Sequence, residues 1–456
     1  MNMHKHTKHA IIGMGKTGIS IAHFLLHQGQ MCKAFDEKLK SIPSTLNLPF
    51  VSGKLNADSL LDFDAIWVSP GICWSHPALQ AARDAGIPVQ GDLALFAKHC
   101  HTPIIAITGT NGKTTTTQTA QVLMETLPGG CDMGGNIGMP MLDLLKEHVM
   151  PSKVVLELSS FQLERCNFIR PRWAVLLNIQ PDHADMHASV DDYRAAKLRI
   201  FEHQSQGDTA MLPMHAAWND LHHNLMQRGV GVHRFGHVRE DNPDAEGLAA
   251  GIMEHHNHAK LFWHQDGHRQ CIDCKDIPVR GLHQHINLAV AAQAAADFGV
   301  SYPVIREALT SFRGLPHRLR LLGHIANHEW FDDSKATNPA AAEAALNAFK
   351  QVIWICGGLR KDLDLSTLKN TVKEHVSHAL VIGRDQDAYV ELLQQSGVSY
   401  DIAGTVKKAV SMASQNTSTL PVLLSPAAAS QDQFTNYAER GKAFASAIAE
   451  LSEVQH

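Results

Sequence analysis

The feature that most constrains this chain is a glycine-rich turn that follows a short apolar run. Residues 103–108 are long enough for one buried parallel strand, and the turn at 109–112 delivers Lys113 and a string of threonines that indicate a helix start. The glycines let backbone N–H groups converge on phosphate oxygens, while the helix N-terminus and Lys113 add positive charge. The hydroxyl of Thr114 or Thr115 can reach a magnesium ion held by the same phosphates. Although the turn is one residue shorter than the usual phosphate loop, it predicts a nucleotide site rather than a plain strand–turn–helix connection.

The length, net charge and apolar runs of the chain indicate several domains and exclude some kinds of partner. A chain of 456 residues is too long for one core, so several domains are expected. The net charge is −5 and no basic block is present, which argues against a nucleic-acid partner. No apolar run reaches the roughly 18 residues that span a bilayer, and the N-terminus lacks a signal-peptide core. We therefore expect a cytoplasmic protein without a membrane partner, acting as a monomer.

The cysteines and histidines give weak patterns. Eight cysteines are scattered through the chain without a disulfide framework, which fits a reducing compartment. Cys271 and Cys274 form one CxxC pair near His264 and His268, and structural cysteines are favoured there over a zinc or redox site. The histidine-rich stretches, such as residues 255–258, are interpreted as surface rather than as a metal tract.

The N-terminal segment has the pattern strand, GxGxxG, helix. Residues 9–18 carry these glycines, and Asp36 follows a second apolar run about 20 residues beyond the first glycine. The pattern is the outline of a dinucleotide fingerprint, but the same turn serves any ligand with a pyrophosphate. A further strand ends in the Ser-Pro-Gly turn at 69–71. We predict one small Rossmann-like domain at residues 1–94.

The second predicted domain, residues 95–313, begins with the phosphate loop. Asn136 lies within a tight glycine turn, and Glu157 lies near the carboxyl end of a strand. Ligands collect at that edge of open parallel sheets, so this carboxylate is expected beside the loop. Another buried strand is followed by Asp182 and His183, which are candidates to bind a metal ion or a phosphate at the strand end. A helix that contains Lys197 comes next. Short antiparallel strands are expected over residues 205–280, followed by an alanine-rich helix containing Asn287.

A third composition change follows Pro316, which breaks a helix and suggests a hinge. At least four apolar runs alternate with helical patterns from there to the C-terminus. This alternation predicts a second doubly wound α/β domain at residues 314–456.

Taken together, these segments resemble the Mur ligase family, the ATP-dependent amide-forming enzymes of peptidoglycan precursor synthesis, over nearly the whole chain. The family-wide motifs are at 109–115, Glu157, 182–183, Asn287, 317–318 and 333–335. Residues 156–164, 314–318, 333–338 and 425–434 resemble the branch that adds D-glutamate. The resemblance implies an N-terminal Rossmann-like UDP-binding domain, a central P-loop-type α/β ATPase domain and a C-terminal Rossmann-like α/β domain. It also implies that ATP converts the carboxylate of UDP-MurNAc-L-Ala into an acyl phosphate, which the amine of D-glutamate attacks.

The resemblance further implies roles for individual residues. Catalysis falls to Lys113, Glu157, His183 and Lys197, the last matching the carbamylated lysine of the family. One or two Mg²⁺ ions would be held by Thr114, Glu157, His183 and carbamylated Lys197. ATP would contact Gly109, Thr110, Asn111, Gly112, Lys113, Thr114, Thr115, Asn287, Arg318 and Asp333. UDP-MurNAc-L-Ala would contact Gly15, Lys16, Thr17, Asp36, Ser69, Pro70, Gly71 and Asn136. D-glutamate would meet Lys335, Thr337, Lys361, Ser430 and Tyr437.

Three alternatives stay open at this point. One is a family member that adds L-glutamate or another amino acid, because Met186 and the loop at 357–362 depart from the usual motifs in substrate-facing loops. Residues 91–94 and Ala428 depart from them as well. Another is an NAD-dependent dehydrogenase built on residues 9–36, against which the second nucleotide loop argues. The third is a nucleotide-binding scaffold without activity, which the acidic and basic site residues disfavour.

Overall fold

The computed structural model describes residues 7–146, 150–180, 187, 189–239, 247–255, 258–360 and 364–453. The predicted site residues His183 and Lys361, together with Asp182, lie outside the described residues. The chain forms two compact units. The first comprises Met1–Gly251, Phe262–Gln270 and Asn287–Ile305, and the second comprises Ile252–Leu261, Cys271–Ile286 and Arg306–His456. The predicted domain boundaries at residues 94 and 313 stay predictions.

The N-terminal sheet has five strands, all paired in parallel, in the order β3-β2-β1-β4-β5. The strands are β1 (Lys8–Ile12), β2 (Met31–Asp36), β3 (Phe50–Ser52), β4 (Ala65–Val68) and β5 (Val89–Gln90). The helices are α1 (Lys16–His27), α2 (Pro77–Asp84) and α3 (Asp92–His99). This order places the carboxyl ends of β1, β2 and β4 side by side, where the glycine turn, Asp36 and Ser69 lie. The predicted Rossmann-like fold is confirmed.

The central sheet has nine strands in the order β14-β13-β12-β11-β10-β9-β6-β8-β7. The strands are β6 (Ile104–Thr108), β7 (Cys131–Gly135), β8 (Lys153–Glu157), β9 (Trp173–Leu176), β10 (Thr209–Pro213), β11 (Gly231–Arg239), β12 (Ala250–His255), β13 (His258–Gln265) and β14 (His268–Asp273). The helices are α4 (Lys113–Glu125), α5 (Ser160–Glu164), α6 (Val190–Leu198), α7 (Asn219–Gln227), α8 (Leu282–Asp297) and α9 (Tyr302–Ser311).

The pairing of β10 and β11 differs from the sequence prediction. Antiparallel strands were expected over residues 205–280, yet β10 pairs in parallel with both β9 and β11. The run of residues 209–213 is buried and apolar at its centre, so it continues the parallel sheet instead of starting a hairpin. The prediction was wrong for these two strands because their partners are set by burial rather than by local turns.

An apolar core joins the N-terminal and central sheets within the first unit. The cluster contains Ile11 and Phe24 near β1, Phe96 of α3, and Leu156 and Leu176 of the central sheet. A polar contact accompanies it, since the hydroxyl of Ser20 donates to Asp143 at 2.8 Å. The two sheets therefore share one hydrophobic interior.

The second unit contains a six-stranded sheet in the order β15-β16-β20-β17-β18-β19. The strands are β15 (Arg320–Ile325), β16 (His328–Asp332), β17 (Val352–Gly357), β18 (Val376–Ile382), β19 (Ser399–Gly404) and β20 (Val422–Leu424). The helices are α10 (Pro339–Leu346), α11 (Lys369–His375), α12 (Gln386–Ser396), α13 (Val406–Ser414) and α14 (Tyr437–Glu453). Only the β15–β16 pair is antiparallel among the pairs of this sheet. Separate apolar clusters lie on its two faces, as expected for a doubly wound sheet.

Local sequence signals explain where several helices begin. Asn338 caps α10 by accepting a hydrogen bond from Ala341 N at 2.8 Å, and Pro339 occupies the first turn. Ser159 and Gln162 form a capping box at α5. Among the described residues, no helix is long and apolar enough to cross a membrane.

Position 18 requires glycine because α1 packs closely against the end of β1. An added Cβ there would lie 2.0 Å from the carbonyl oxygen of Gly13 and 3.1 Å from the hydroxyl of Ser69. The clash is with main chain, so it cannot be relieved by a side-chain rotation.

We expect Gly18→Ala to destabilise the first unit by about 1–3 kcal/mol, because the new methyl group forces α1 away from β1. Urea unfolding of the full chain, followed by circular dichroism, measures this change. Gly15→Ala is the matched control, since a Cβ at Gly15 meets nothing within 4 Å. Equal unfolding midpoints for the two variants would contradict the packing argument.

Candidate active site

The phosphate-loop residues adopt the conformation that the sequence predicts. Gly109 has φ +153° and Gly112 has φ +85°, and α4 begins directly afterwards at Lys113. A Cβ on Gly109 would lie 2.9 Å from the Cβ of Leu177, and one on Gly112 would lie 2.4 Å from Oδ1 of Asn287. Both positions therefore require glycine, and Asn287 lies directly against the loop as predicted for a nucleotide contact.

Two side chains that the sequence analysis missed hold the loop in place. Asn178, just after β9, accepts from Asn111 N at 2.9 Å and donates to Asn111 O at 3.0 Å. Gln180 accepts from the Asn111 side-chain amide at 2.8 Å, and its backbone N–H donates to Thr110 Oγ1 at 3.0 Å. The sequence does contain a signal for Asn178 and Gln180. Both are polar residues that directly follow the apolar run of a core strand, which is where ligand-binding loops begin.

Two lysine side chains meet at the loop. Lys113 Nζ donates to the carbonyl oxygens of Gly109 and Thr110, each at 2.8 Å. Lys197, which is 1% exposed, also donates to Gly109 O at 2.8 Å. The Lys197 amine lies 4.5 Å from the ring centroid of Tyr193, whose hydroxyl is 3.0 Å from Thr110 Oγ1. The structure thus concentrates positive charge where the sequence predicts phosphates.

Glu157 lies on β8, next to β6, and pairs in register with Ile107. Its side chain is almost fully buried, and Oε1 accepts from the side-chain amide of Asn136 at 2.8 Å. Oε2 is buried without a hydrogen-bond partner among the described residues. A buried carboxylate oxygen without a donor fits the coordination of a divalent cation. Asn136 and Glu157, which the sequence assigned to different ligands, are in direct contact.

A complete metal-ligand set is not found in the described part of the chain, where no group of three or more His, Cys, Asp or Glu side chains could hold an ion. His183 was predicted to complete the set and lies outside the described residues. Thr114 and Thr115 lie in the first turn of α4, half-buried and buried respectively.

Cys271 and Cys274 of the CxxC pair are both half-buried. All eight cysteines are free. Burial raises the pKa of the Cys274 thiol to about 11, so it stays protonated near neutral pH.

The predicted UDP residues lie together at the carboxyl edge of the N-terminal sheet. Gly15 precedes α1, with Lys16 and Thr17 in its first turn. The Asp36 carboxylate accepts from the backbone N–H groups of Met14, Lys38 and Leu39 at 2.7–2.9 Å. Burial raises the pKa of Asp36, but these three hydrogen bonds outweigh it and lower the pKa overall.

The turn at residues 69–71 is also tied to the glycine loop. The hydroxyl of Ser69 donates to the carbonyl of Gly13 at 2.6 Å. Pro70 and Gly71 follow, half-buried and exposed. The side chains of Asp36 and Ser69 therefore shape the two loops rather than project from them.

The second unit brings together most of the residues predicted to meet glutamate. Lys335 Nζ lies 3.8 Å from the ring centroid of Tyr437, a cation–π contact. Ser430 is 1% exposed, and its Oγ is buried without a hydrogen-bond partner in the described chain. Thr337 is half-buried, two residues beyond Lys335.

The hydrogen bonds of Asp333 hold two segments of the second unit together. Its carboxylate accepts from Leu319 N at 3.0 Å and from Ser425 Oγ at 2.8 Å, which links the segment containing Arg318 to the end of β20. Burial raises the pKa of Asp333 to about 7, although both donors and Arg318 act in the opposite direction.

Comparison with known families agrees with this organisation. The family described as "Mur ligase MurD-like, N-terminal domain" matches residues 7–91. "Mur ligase middle domain" matches residues 107–295, and "Mur ligase, glutamate ligase domain" matches residues 317–428. Three successive matches support the predicted three-domain α/β architecture.

Several curated relatives align along almost the full chain. A protein of Nitrosomonas europaea is 34% identical over 96% of this chain and 95% of its own length. Proteins of Caulobacter vibrioides and Haemophilus influenzae are 35% and 33% identical, over 96% and 97% of this chain and 95% and 98% of their own lengths. All three are named UDP-N-acetylmuramoylalanine–D-glutamate ligase.

Solved structures of low sequence identity share the fold. The MurF ligase of Thermotoga maritima in complex with ADP has a TM-score of 0.61 at 16% identity, covering 98% of this chain and 97% of that one. The UDP-N-acetylmuramate–alanine ligase MurC of the same organism has a TM-score of 0.58 at 18% identity, covering 99% and 100%. With three matched domains and relatives above 30% identity along the whole chain, this protein belongs to the Mur ligase family.

Proposed function

We propose that this protein is an ATP-dependent ligase that joins D-glutamate to UDP-N-acetylmuramoyl-L-alanine through an acyl phosphate. The observation that carries the proposal is the full-length identity of 33–35% to relatives named for this reaction. The phosphate loop, with two lysines and a buried carboxylate around it, supplies the chemistry that such a reaction requires.

The central domain would bind ATP through its main chain. The backbone N–H groups of residues 109–115 and the Lys113 amine would hold the β- and γ-phosphates. Asn287 packs against Gly112, which supports its proposed contact with the nucleotide. Arg318 would contact the nucleotide as well, and Asp333 would act by holding that segment in place.

Magnesium fits the residues at this edge. Glu157 would ligate it through the free Oε2, with Thr114 and His183 as further ligands. When bound, the ion would neutralise charge on the transferred phosphoryl group. The Asn136 amide, by engaging Oε1, would keep the Glu157 carboxylate turned in one direction.

Carbamylation of Lys197 would reverse the sign of its charge beside the phosphate loop. As an ammonium, Lys197 is buried and shares the Gly109 carbonyl with Lys113. Addition of CO₂ to the neutral amine would form an N–C bond and release a proton, which replaces a buried cation by an anion. An anion at this position suits a second magnesium ion better than an ammonium does.

The N-terminal domain would hold the UDP part through the loop ends of β1, β2 and β4. The residues are Gly15, Lys16, Thr17, Asp36, Ser69, Pro70 and Gly71, with Asn136 near the muramoyl part. The exposed N–H groups at the start of α1 suit the diphosphate.

D-glutamate would be held by Lys335, Thr337, Lys361, Ser430 and Tyr437. A lysine ammonium complements a substrate carboxylate, and the unpartnered Ser430 hydroxyl can donate to it. Tyr437 keeps the Lys335 amine close through the cation–π contact.

The proposed reaction has two steps, formation of the acyl phosphate and formation of the amide bond. The L-alanine carboxylate forms an O–P bond to the γ-phosphorus, and ADP leaves as the bond to the β-phosphate breaks. The amine of D-glutamate then forms the C–N bond, loses a proton, and inorganic phosphate leaves. We further propose that the enzyme acts as a cytoplasmic monomer, and that its substrates are the small molecules ATP, UDP-N-acetylmuramoyl-L-alanine and D-glutamate.

The first prediction concerns the amino acid. With UDP-MurNAc-L-Ala, ATP and magnesium, phosphate release should depend on D-glutamate and be far slower with L-glutamate or no amino acid. Coupled phosphate release measures the rates, and mass spectrometry identifies the ligated product. A preference for L-glutamate would replace this proposal by the related ligase activity.

The second prediction concerns Lys113. Lys113→Ala should lower kcat by at least about 100- to 1,000-fold, because a full positive charge at the transferred phosphates is lost. Lys407→Ala is a suitable control, since its exposed amine pairs with the exposed carboxylate of Glu450 at 2.8 Å. Comparable rates for the two variants would exclude Lys113 from phosphate binding.

The third prediction concerns the carbamate. Lys197→Ala should abolish ligation, and formate or acetate should restore part of it by supplying the missing anion. Labelled bicarbonate should mark the wild-type protein and leave the variant unmarked. Full activity of Lys197→Ala in the absence of added carboxylate would rule out the carbamate.

A further inference from the structure

Two buried arginines are not used in the proposed mechanism. Arg165 is 2% exposed and lies just after α5 in the first unit, while Arg440 is 1% exposed and lies in α14 of the second. Burial lowers the pKa of each guanidinium to about 10, so both stay charged near neutral pH. A buried charge is costly unless its hydrogen bonds are satisfied. The hydrogen-bond acceptors of the two guanidinium groups therefore indicate the role of each arginine.

Arg440 joins two segments that carry predicted glutamate contacts. Its Nε donates to Ser334 Oγ at 3.0 Å, and one terminal nitrogen donates to Ser334 O at 2.8 Å. The same nitrogen donates to Ala428 O at 3.0 Å, and the other reaches Ala429 O at 3.4 Å. Lys335 follows the first of these acceptors directly, and Ser430 follows the last.

The segment at residues 426–430 needs such support. Ala427 has φ +56°, a left-handed conformation that costs energy for a residue with a side chain. Its carbonyl accepts from the Tyr389 hydroxyl at 3.2 Å, and the next two carbonyls accept from Arg440. Successive carbonyls are thus directed inward, which fixes where the unpartnered Ser430 hydroxyl lies.

Arg165 makes a smaller set of bonds in the first unit, where its Nε is buried without a hydrogen-bond partner among the described residues. Its two terminal nitrogens donate to the carbonyl oxygens of Ser69 and Ile72, on either side of the Pro70-Gly71 turn. Ser69 in turn donates through its hydroxyl to Gly13, in the glycine loop after β1. The Arg165 guanidinium also lies 5.4 Å from the ring centroid of Trp74. One side chain therefore holds two of the loops proposed to bind UDP.

We propose that Arg440 and Arg165 are positioning residues for two different substrates, Arg440 for the amino acid and Arg165 for the sugar nucleotide. Neither touches substrate; each fixes the main chain from which the binding groups project. This inference rests on the proposed function. Sequence reasoning could not find it, because Ser334 and Arg440 are 106 residues apart and Ser69 and Arg165 are 96 apart.

Replacement of each arginine by lysine provides the test. Lysine keeps the charge but cannot bridge carbonyl oxygens with a planar fork. Arg440→Lys should raise the KM for D-glutamate by about 10- to 100-fold and leave the KM for UDP-MurNAc-L-Ala within about twofold. Arg165→Lys should show the reverse pattern. Each variant is thus the matched control of the other, and the KM for ATP should stay unchanged in both.

A milder variant covers the case in which Arg440→Lys fails to fold. Ser334→Ala removes one neutral acceptor of Arg440 and the hydrogen bond from the Ser334 hydroxyl to Tyr437 O, but keeps the bonds from Arg440 to carbonyl oxygens. The KM for D-glutamate should therefore rise by roughly three- to tenfold. Calorimetry on every variant shows whether the fold is retained. A loss of thermal stability with both KM values unchanged would overturn the inference, since that is the result of a purely structural role.

The outcomes separate the two proposals. If D-glutamate does not stimulate phosphate release by the wild-type protein, both the proposed function and this inference are overturned. Wild-type activity with D-glutamate, together with equal effects of Arg440→Lys on the KM of both substrates, would overturn this inference alone.

Discussion

The main-chain conformation of residues 109–112 is the constraint on which the candidate active site depends. Strand β6 lies inside the parallel sheet, and the chain must turn sharply to begin α4 at Lys113. Left-handed glycines make that turn, and the side chains of Asn178 and Asn287 lie against it. Main chain and side-chain amides therefore set the path of the loop, and the amines of Lys113 and Lys197 converge on its Gly109 carbonyl oxygen.

The second unit solves a similar problem with a buried charge. Gly357 ends β17 and Gly383 follows β18, both with positive φ, but after β20 the left-handed position is occupied by Ala427. Arg440 compensates with hydrogen bonds to carbonyl oxygens on both segments. A guanidinium suits this task because its donors are arranged in a fixed plane. A buried arginine also holds a turn in the first unit, where Arg165 donates to the carbonyl oxygens of Ser69 and Ile72.

The sequence predicted the features that depend on neighbouring residues. The glycine turns, the strand ends bearing Asp36 and Glu157, and the doubly wound sheets follow from local patterns. It did not predict Asn178, Arg165 or Arg440, whose partners lie far along the chain and whose residue types carry no periodic signal. It also could not show that the Asp36 carboxylate is engaged by backbone donors, because that depends on the exact path of two turns.

The apolar core shared by the first two sheets limits how this chain can be divided. Phe96 is fully buried, and the N-terminal sheet packs into the same cluster as the central one. A fragment ending near residue 94 would expose that surface to water and become prone to self-association. Recombination between relatives would therefore preserve the fold more readily when it exchanges the N-terminal and central segments as one inherited block.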